Sequence, residues 1–84
     1  MQAPSVFWMV GHLKGPTSLY HTPSDCVNGT MAVAEIDGGS VRVHYPWITQ
    51  DGVQCVPIAY CERESGRPLF NYVNKDSFSH FSPL

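Results

Sequence analysis

The chain has 84 residues, of which 43% are hydrophobic and 14% charged, and its formal net charge is -2. That length supports one modest core close to the lower limit of independent stability, and the small charged share leaves much of the surface neutral. Lys14, Arg42, Arg63, Arg67 and Lys75 are scattered along the chain, which excludes the clustered basic footprint of a nucleic-acid binder, and no apolar run reaches the length of a membrane span.

The opening Met1-Gln2-Ala3-Pro4-Ser5 lacks a basic leader region, and the apolar stretch from Val6 to Val10 is too short for a signal core. The expectation is a soluble cytoplasmic protein with a single small domain over residues 1–84. Cys26, Cys55 and Cys61 cannot all pair within one chain, so reduced thiols are expected. Asn28-Gly29-Thr30 matches a glycosylation acceptor, but without an export signal its Asn-Gly pair reads as a turn.

In chain order, Val6 to His12 is a first strand, rich in large apolar groups, and Leu13 to Asn28 is a long polar loop holding Gly15-Pro16 and Pro23. From Thr30 to Ile36, Ala32, Ala34 and Ile36 share one side and Glu35 faces the other, as a half-buried strand requires. The segment after Pro23-Ser24-Asp25 also fits a helix capped by Ser24, with Val27, Met31 and Ala34 along one stripe. Asn28-Gly29 in its middle favours the strand.

Three glycine-bearing turn signals follow, Gly38-Gly39, Asp51-Gly52 and Ser65-Gly66. Two-residue loops of this composition make hairpins, and antiparallel counting around them gives a definite register. The first turn sets Ile36 against Val41, Ala34 against Val43 and Glu35 against Arg42. The second sets Trp47 against Val56, Tyr45 against Ile58 and Val43 against Tyr60. The third sets Glu64 against Arg67 and Ile58 against Val73. The predicted fold is all-β: a small antiparallel meander of four to five strands, a curled sheet or small barrel, with room for one short helix.

One face of that meander carries Ala34, Ile36, Val41, Val43, Tyr45, Trp47, Val56, Ile58, Tyr60, Leu69 and Val73, a core by matched alternation. The other carries Val33, Ile48, Cys55, Ala59, Cys61, Phe70 and Tyr72, and needs a cover. Either the first strand supplies it, or an apolar patch stays open for another chain. Pro57 and Pro68 lack ladder donors and belong at bulges or outward-facing edges. Residues 75–84 form either a loosely ordered tail or an added strand along a sheet edge, their own or a partner's.

Chemistry is thinly signalled. His21, Cys26, His44, Cys55, Cys61 and His80 are acceptable zinc ligands, yet no C-x-x-C or H-x-x-x-H spacing gathers them, and buried free cysteines serving as small hydrophobes are the simpler reading. Cys26, His21 and Asp25 can be assembled into a nucleophile set, but no nucleophile elbow, phosphate loop or paired acid motif accompanies them. The expectation is a non-enzyme with no cofactor and no metal. Trp8, Tyr45, Trp47, Tyr60, Phe70 and Tyr72 lack the basic neighbours of a base-stacking platform, which favours core or protein-interface roles. Tyr72 and Phe70, with the charged tip Glu62, Arg63, Glu64 and Arg67, are the expected partner-binding residues.

Phe7-Trp8-Met9-Val10, Pro16-Thr17-Ser18 and His21-Thr22 together resemble the opening of small accessory proteins encoded by bacteriophages and prophages. The likeness covers about the first quarter of the chain. In those proteins the His-Thr stretch leads into an Ala/Glu-rich helix, whereas here Asn28-Gly29 intrudes and Ala32-Val33-Ala34-Glu35 remains. The resemblance implies a small non-catalytic protein that binds and blocks a host protein in the host cytoplasm, as anti-defence and anti-CRISPR proteins do. A homodimer is one expected form, and a self-associating virion or tail subunit is the alternative.

Overall fold

A computed structural model describes residues 9–61, 65–66 and 68–83, with backbone alone for 60, 61 and 68–70. Among the described residues the elements run β1 (Met9–Leu13), β2 (Thr17–Leu19), α1 (Pro23–Asn28), β3 (Ala34–Ile36), β4 (Gly39–Val43), β5 (Ile48–Gln50), β6 (Val53–Cys61), β7 (Pro68–Asn74), a 3-10 turn (Lys75–Ser77) and β8 (Phe78–Pro83). The fold is mainly β, a curled antiparallel sheet with one short helix, as the sequence predicts.

The strands act as longer ribbons that bend and change partners along their length. β1 pairs with β4 while β2 pairs with β3, so the first ribbon runs antiparallel to the stretch from Ala34 to Val43. β6 pairs with β5 near its start and with β4 further on, and along its other edge with β7. The last ribbon returns to the first: β8 lies on β1, Lys14 N–H donates to the Ser77 carbonyl at 2.9 Å, and Tyr20 and Tyr72 exchange both backbone bonds at 3.0 and 2.7 Å. The pairings thus run round a ring, open between Lys14 and Tyr20 on one side and Tyr72 and Ser77 on the other.

This topology corrects the expected turn at Gly38-Gly39. Ile36 lies opposite Thr17 and Val41 opposite Gly11, while Glu35 faces Ser18 and Arg42 faces Val10 and Ala59, so the Glu35–Arg42 pair does not form. Both glycines have positive φ, 115° and 89°, but they make a bend. A Cβ on Gly38 would stand 3.2 Å from the Gly15 carbonyl oxygen, so the two ribbons bend together where their backbones touch.

Asp51-Gly52 does close the β5–β6 hairpin, with φ of 52° and 79° as a mirror-image two-residue turn requires. Its register then slips, because Val43 faces Ile58 while Ile48 faces Cys55, five steps against three. The two extra residues are absorbed around the cis Tyr45-Pro46 bond. Pro57 faces this bulge: its carbonyl accepts from His44 N–H at 2.8 Å, and its missing donor points the same way, where no ladder bond is demanded. In the β6–β7 hairpin Val56 faces Val73 and Ile58 faces Asn71, two positions from the register expected about Ser65-Gly66. Slips of two preserve side-chain parity, so the inward faces survive.

The core gathers Leu13, Leu19, Val43, Val56, Ile58, Val73 and Phe78, with Met9, Ala34, Ile36, Val41, Trp47 and Phe81 packed against it. Tyr45, expected inside, is 51% exposed because the bulge turns it out. The expected polar loop of 13–28 instead contains β2 and α1, and the strand expected from Thr30 begins at Ala34. The first strand is no cover for the sheet: from Met9 it lies within it, between β4 and β8. Residues 78–83 are β8, the added strand along their own sheet's edge rather than a loose tail, and the bulge between Phe78 and His80 lets Phe78 and Phe81 both reach the core.

Candidate functional site

α1 is six residues long and forms where its ends are satisfied. Thr22, two residues ahead of the expected Ser24, is the N-cap, its Oγ1 accepting from Asp25 N–H at 3.1 Å. Pro23 occupies the first turn, and Gly29 at φ 68° ends the helix with its N–H on the Asp25 carbonyl at 2.8 Å. One residue of α1 is buried, Cys26. The helix covers Cys55, on the outer face of β6, and Cys55 Sγ donates to the Pro23 carbonyl at 3.8 Å.

Beyond Gly29 the chain climbs to β3 through a segment with an unusual surface. Met31, at φ 59°, is 78% exposed and Val33 is 55% exposed. Val33 N–H donates to the Leu19 carbonyl at 2.9 Å, extending the β2–β3 ladder. Alternation then turns Ala34 and Ile36 to the core and leaves Met31, Val33 and Glu35 outward. Among the described residues β3 pairs with β2 along one edge and with no strand along the other. An exposed strand edge flanked by two large apolar side chains is what strand addition by a second polypeptide needs.

A neutral cleft of about 360 Å³ occupies the opening of the ring, between β2 and the end of β7 and beneath α1. Thr17, Ser18, Tyr20, Asn28, Asn74 and Ser77 give it a polar lining, and Cys26 stands in its wall. Burial, and then the neighbouring Cys55, push the Cys26 thiol up to about 12. It is therefore protonated at neutral pH, the reverse of an activated nucleophile.

On the outer face of the β1–β8 pair, His12 and His80 lie directly opposite and stack at 4.2 Å. The two ring nitrogens of His12 are engaged by Ser40 Oγ at 3.1 Å and Ser82 Oγ at 3.0 Å. Stacked rings do not converge their nitrogens on one ion. Among the described residues no group of three or more His, Cys, Asp or Glu is gathered as a metal site would be, and no helix is long and apolar enough to cross a membrane.

Of the expected partner-binding residues, Tyr72 is half-buried and its backbone is committed to Tyr20, while Phe70 pairs through its backbone with Ala59. Glu62, Arg63, Glu64 and Arg67 lie outside the described residues. The exposed large apolar groups stand elsewhere, Met31 and Val33 beside β3 and Tyr45 and Ile48 just before and at the start of β5, and the two most exposed are Met31 and Val33. Val33 belongs to the second apolar face read from the sequence, and the helix stop at Asn28-Gly29 is the signal that would have separated Met31 from the helix and turned it to solvent. No protein-family model matches the chain, and comparison with curated proteins and solved structures gives no match.

Proposed function

We propose that this is a small non-catalytic protein-binding protein whose docking surface is the outer edge of β3 with Met31 and Val33. The observation that carries this reading is the coincidence of an unpaired strand edge with two exposed apolar side chains in a chain of low charge. A partner strand would hydrogen-bond to the β3 backbone, and its apolar side chains would cover Met31 and Val33. The likeness of the first quarter of the chain to phage and prophage accessory proteins supports an inhibitor that acts by surface contact on a host protein.

The test compares the wild-type chain with the double variant Met31→Glu, Val33→Lys in capture from host extract, with both chains also examined by light scattering. The expected outcome is a specific partner whose affinity falls at least about tenfold in the variant, about 1.4 kcal/mol, since two charges would then be buried against the partner's apolar side chains without partners of their own. Equal capture by both chains would overturn the assignment of the surface. Oligomers of the chain alone, lost in the variant, would assign the same edge to self-assembly.

A further inference from the structure

The two thiols under α1 belong to segments far apart in sequence and meet inside the fold. Cys26 is 3% exposed and Cys55 is fully buried; both are free. Cys55 Sγ reaches the Pro23 carbonyl, three residues before Cys26 on the same helix, and Cys55 is the neighbouring group that acts on the Cys26 thiol. The helix packs on β5, β6 and β7. Gln50 Nε2 donates to Ser24 Oγ at 2.8 Å, and a helix of six residues has no stability of its own. The Cys26 side of the pair borders the cleft, so a small reagent entering there meets Cys26 first.

We propose that Cys26 and Cys55 are an oxidisable dithiol, which hydrogen peroxide converts into a disulfide that staples α1 to β6. The Cys26 thiol loses its proton to solvent and the thiolate attacks peroxide; the O–O bond breaks, Cys26 becomes a sulfenic acid, and the leaving hydroxide takes up a proton from solvent and departs as water. The Cys55 sulfur then attacks the sulfenic sulfur, the S–O bond breaks, and the second water carries away the Cys55 proton. Two thiols and one peroxide give one disulfide and two waters. Closing the sulfurs to bonding distance, about 2.05 Å, requires side-chain rotation and a small slide of the six-residue helix.

The high thiol pKa makes the thiolate scarce at neutral pH, so the reaction is slow there and quickens about tenfold for each pH unit until that value is approached. A bridge from position 26 to position 55 closes a long loop of the unfolded chain, and in a domain of this size it raises Tm by about 10 °C or more.

The experiment treats a Cys61→Ser chain with hydrogen peroxide at pH 8 and pH 9, removes the peroxide with catalase, unfolds the protein, blocks remaining thiols with N-ethylmaleimide and maps the peptides. The expected result is a Cys26–Cys55 linked peptide, formed about tenfold faster at the higher pH, with a Tm rise that dithiothreitol reverses. Retention of both thiols as maleimide adducts, a sulfinic acid at Cys26 beside an alkylated Cys55, or disulfides only between chains would each overturn the proposal. The unsubstituted chain mapped in the same way gives the same decision from the linkage alone.

Discussion

The inside of the ring and the helical flank are held in different ways. Inside, Val43, Val56, Ile58 and Val73 from adjacent strands are fully enclosed and close on Leu19, Leu13 and Phe78. On the flank, α1 buries a single cysteine and depends on its caps and a few side-chain bonds. The difference teaches that burial decides where the strands lie, whereas local hydrogen bonding decides where the helix begins and ends.

Substitutions at the two places should therefore separate in size. Ile58→Ala, at the centre of the packed face, is expected to lose about 3 kcal/mol in denaturant unfolding, the usual range for such a truncation being about 2–5 kcal/mol. Gly11→Ala follows, at about 1–3 kcal/mol by overpacking, since its Cβ would stand 2.5 Å from Phe78 Cε1 and 3.0 Å from Val43 Cγ2. On the flank, Thr22→Ala removes the N-cap and is expected to lose about 1 kcal/mol. A loss at Thr22 equal to that at Ile58 would break the contrast.

Titration sharpens the same contrast with smaller effects. Cys26 has a folded pKa raised from 9.0 to about 12, so its contribution is fully present below pH 9 and is lost as pH rises toward 12, where the unfolded chain has already released the proton. Thermal unfolding followed from pH 8 to pH 11 should show this loss, and Cys26→Ser should remove it. Desolvation lowers the pKa of His44. The unfolded chain then takes up a proton first as pH falls below about 6.5, and stability declines with it. His44→Gln should flatten that acid limb. An unchanged limb would mean that other groups carry it.

The sequence made the fold class legible because alternation survives every slip of two residues. Val43, Val56, Ile58 and Val73 were assigned inward and are inward, although Val43 faces Ile58 rather than Tyr60. The partner order was not legible. Gly38-Gly39 and Asp51-Gly52 look alike in sequence and have positive φ alike, yet one bends a strand and the other reverses it. What decides is the Gly15 backbone packed against Gly38, a contact between residues far apart in the chain. Leu13, Leu19 and Phe78 escaped the core assignment for a related reason, since Leu13 and Leu19 flank the polar stretch Lys14 to Ser18 and Phe78 sits among serines from Ser77 to Ser82, compositions that hide short strands. The candidate docking surface was half legible: Val33 was on the apolar face that needed a cover, and Met31 was not.

The central claim is the ring in which the last ribbon returns to the first. Cross-strand nuclear Overhauser contacts between backbone protons test it most directly. The structure predicts contacts between Gly11 and Phe81 and between Tyr20 and Tyr72, with none between Ile36 and Val41. Contacts of Ile36 with Val41 and Ala34 with Val43, without those to Phe81 and Tyr72, would restore the simple meander and contradict this account.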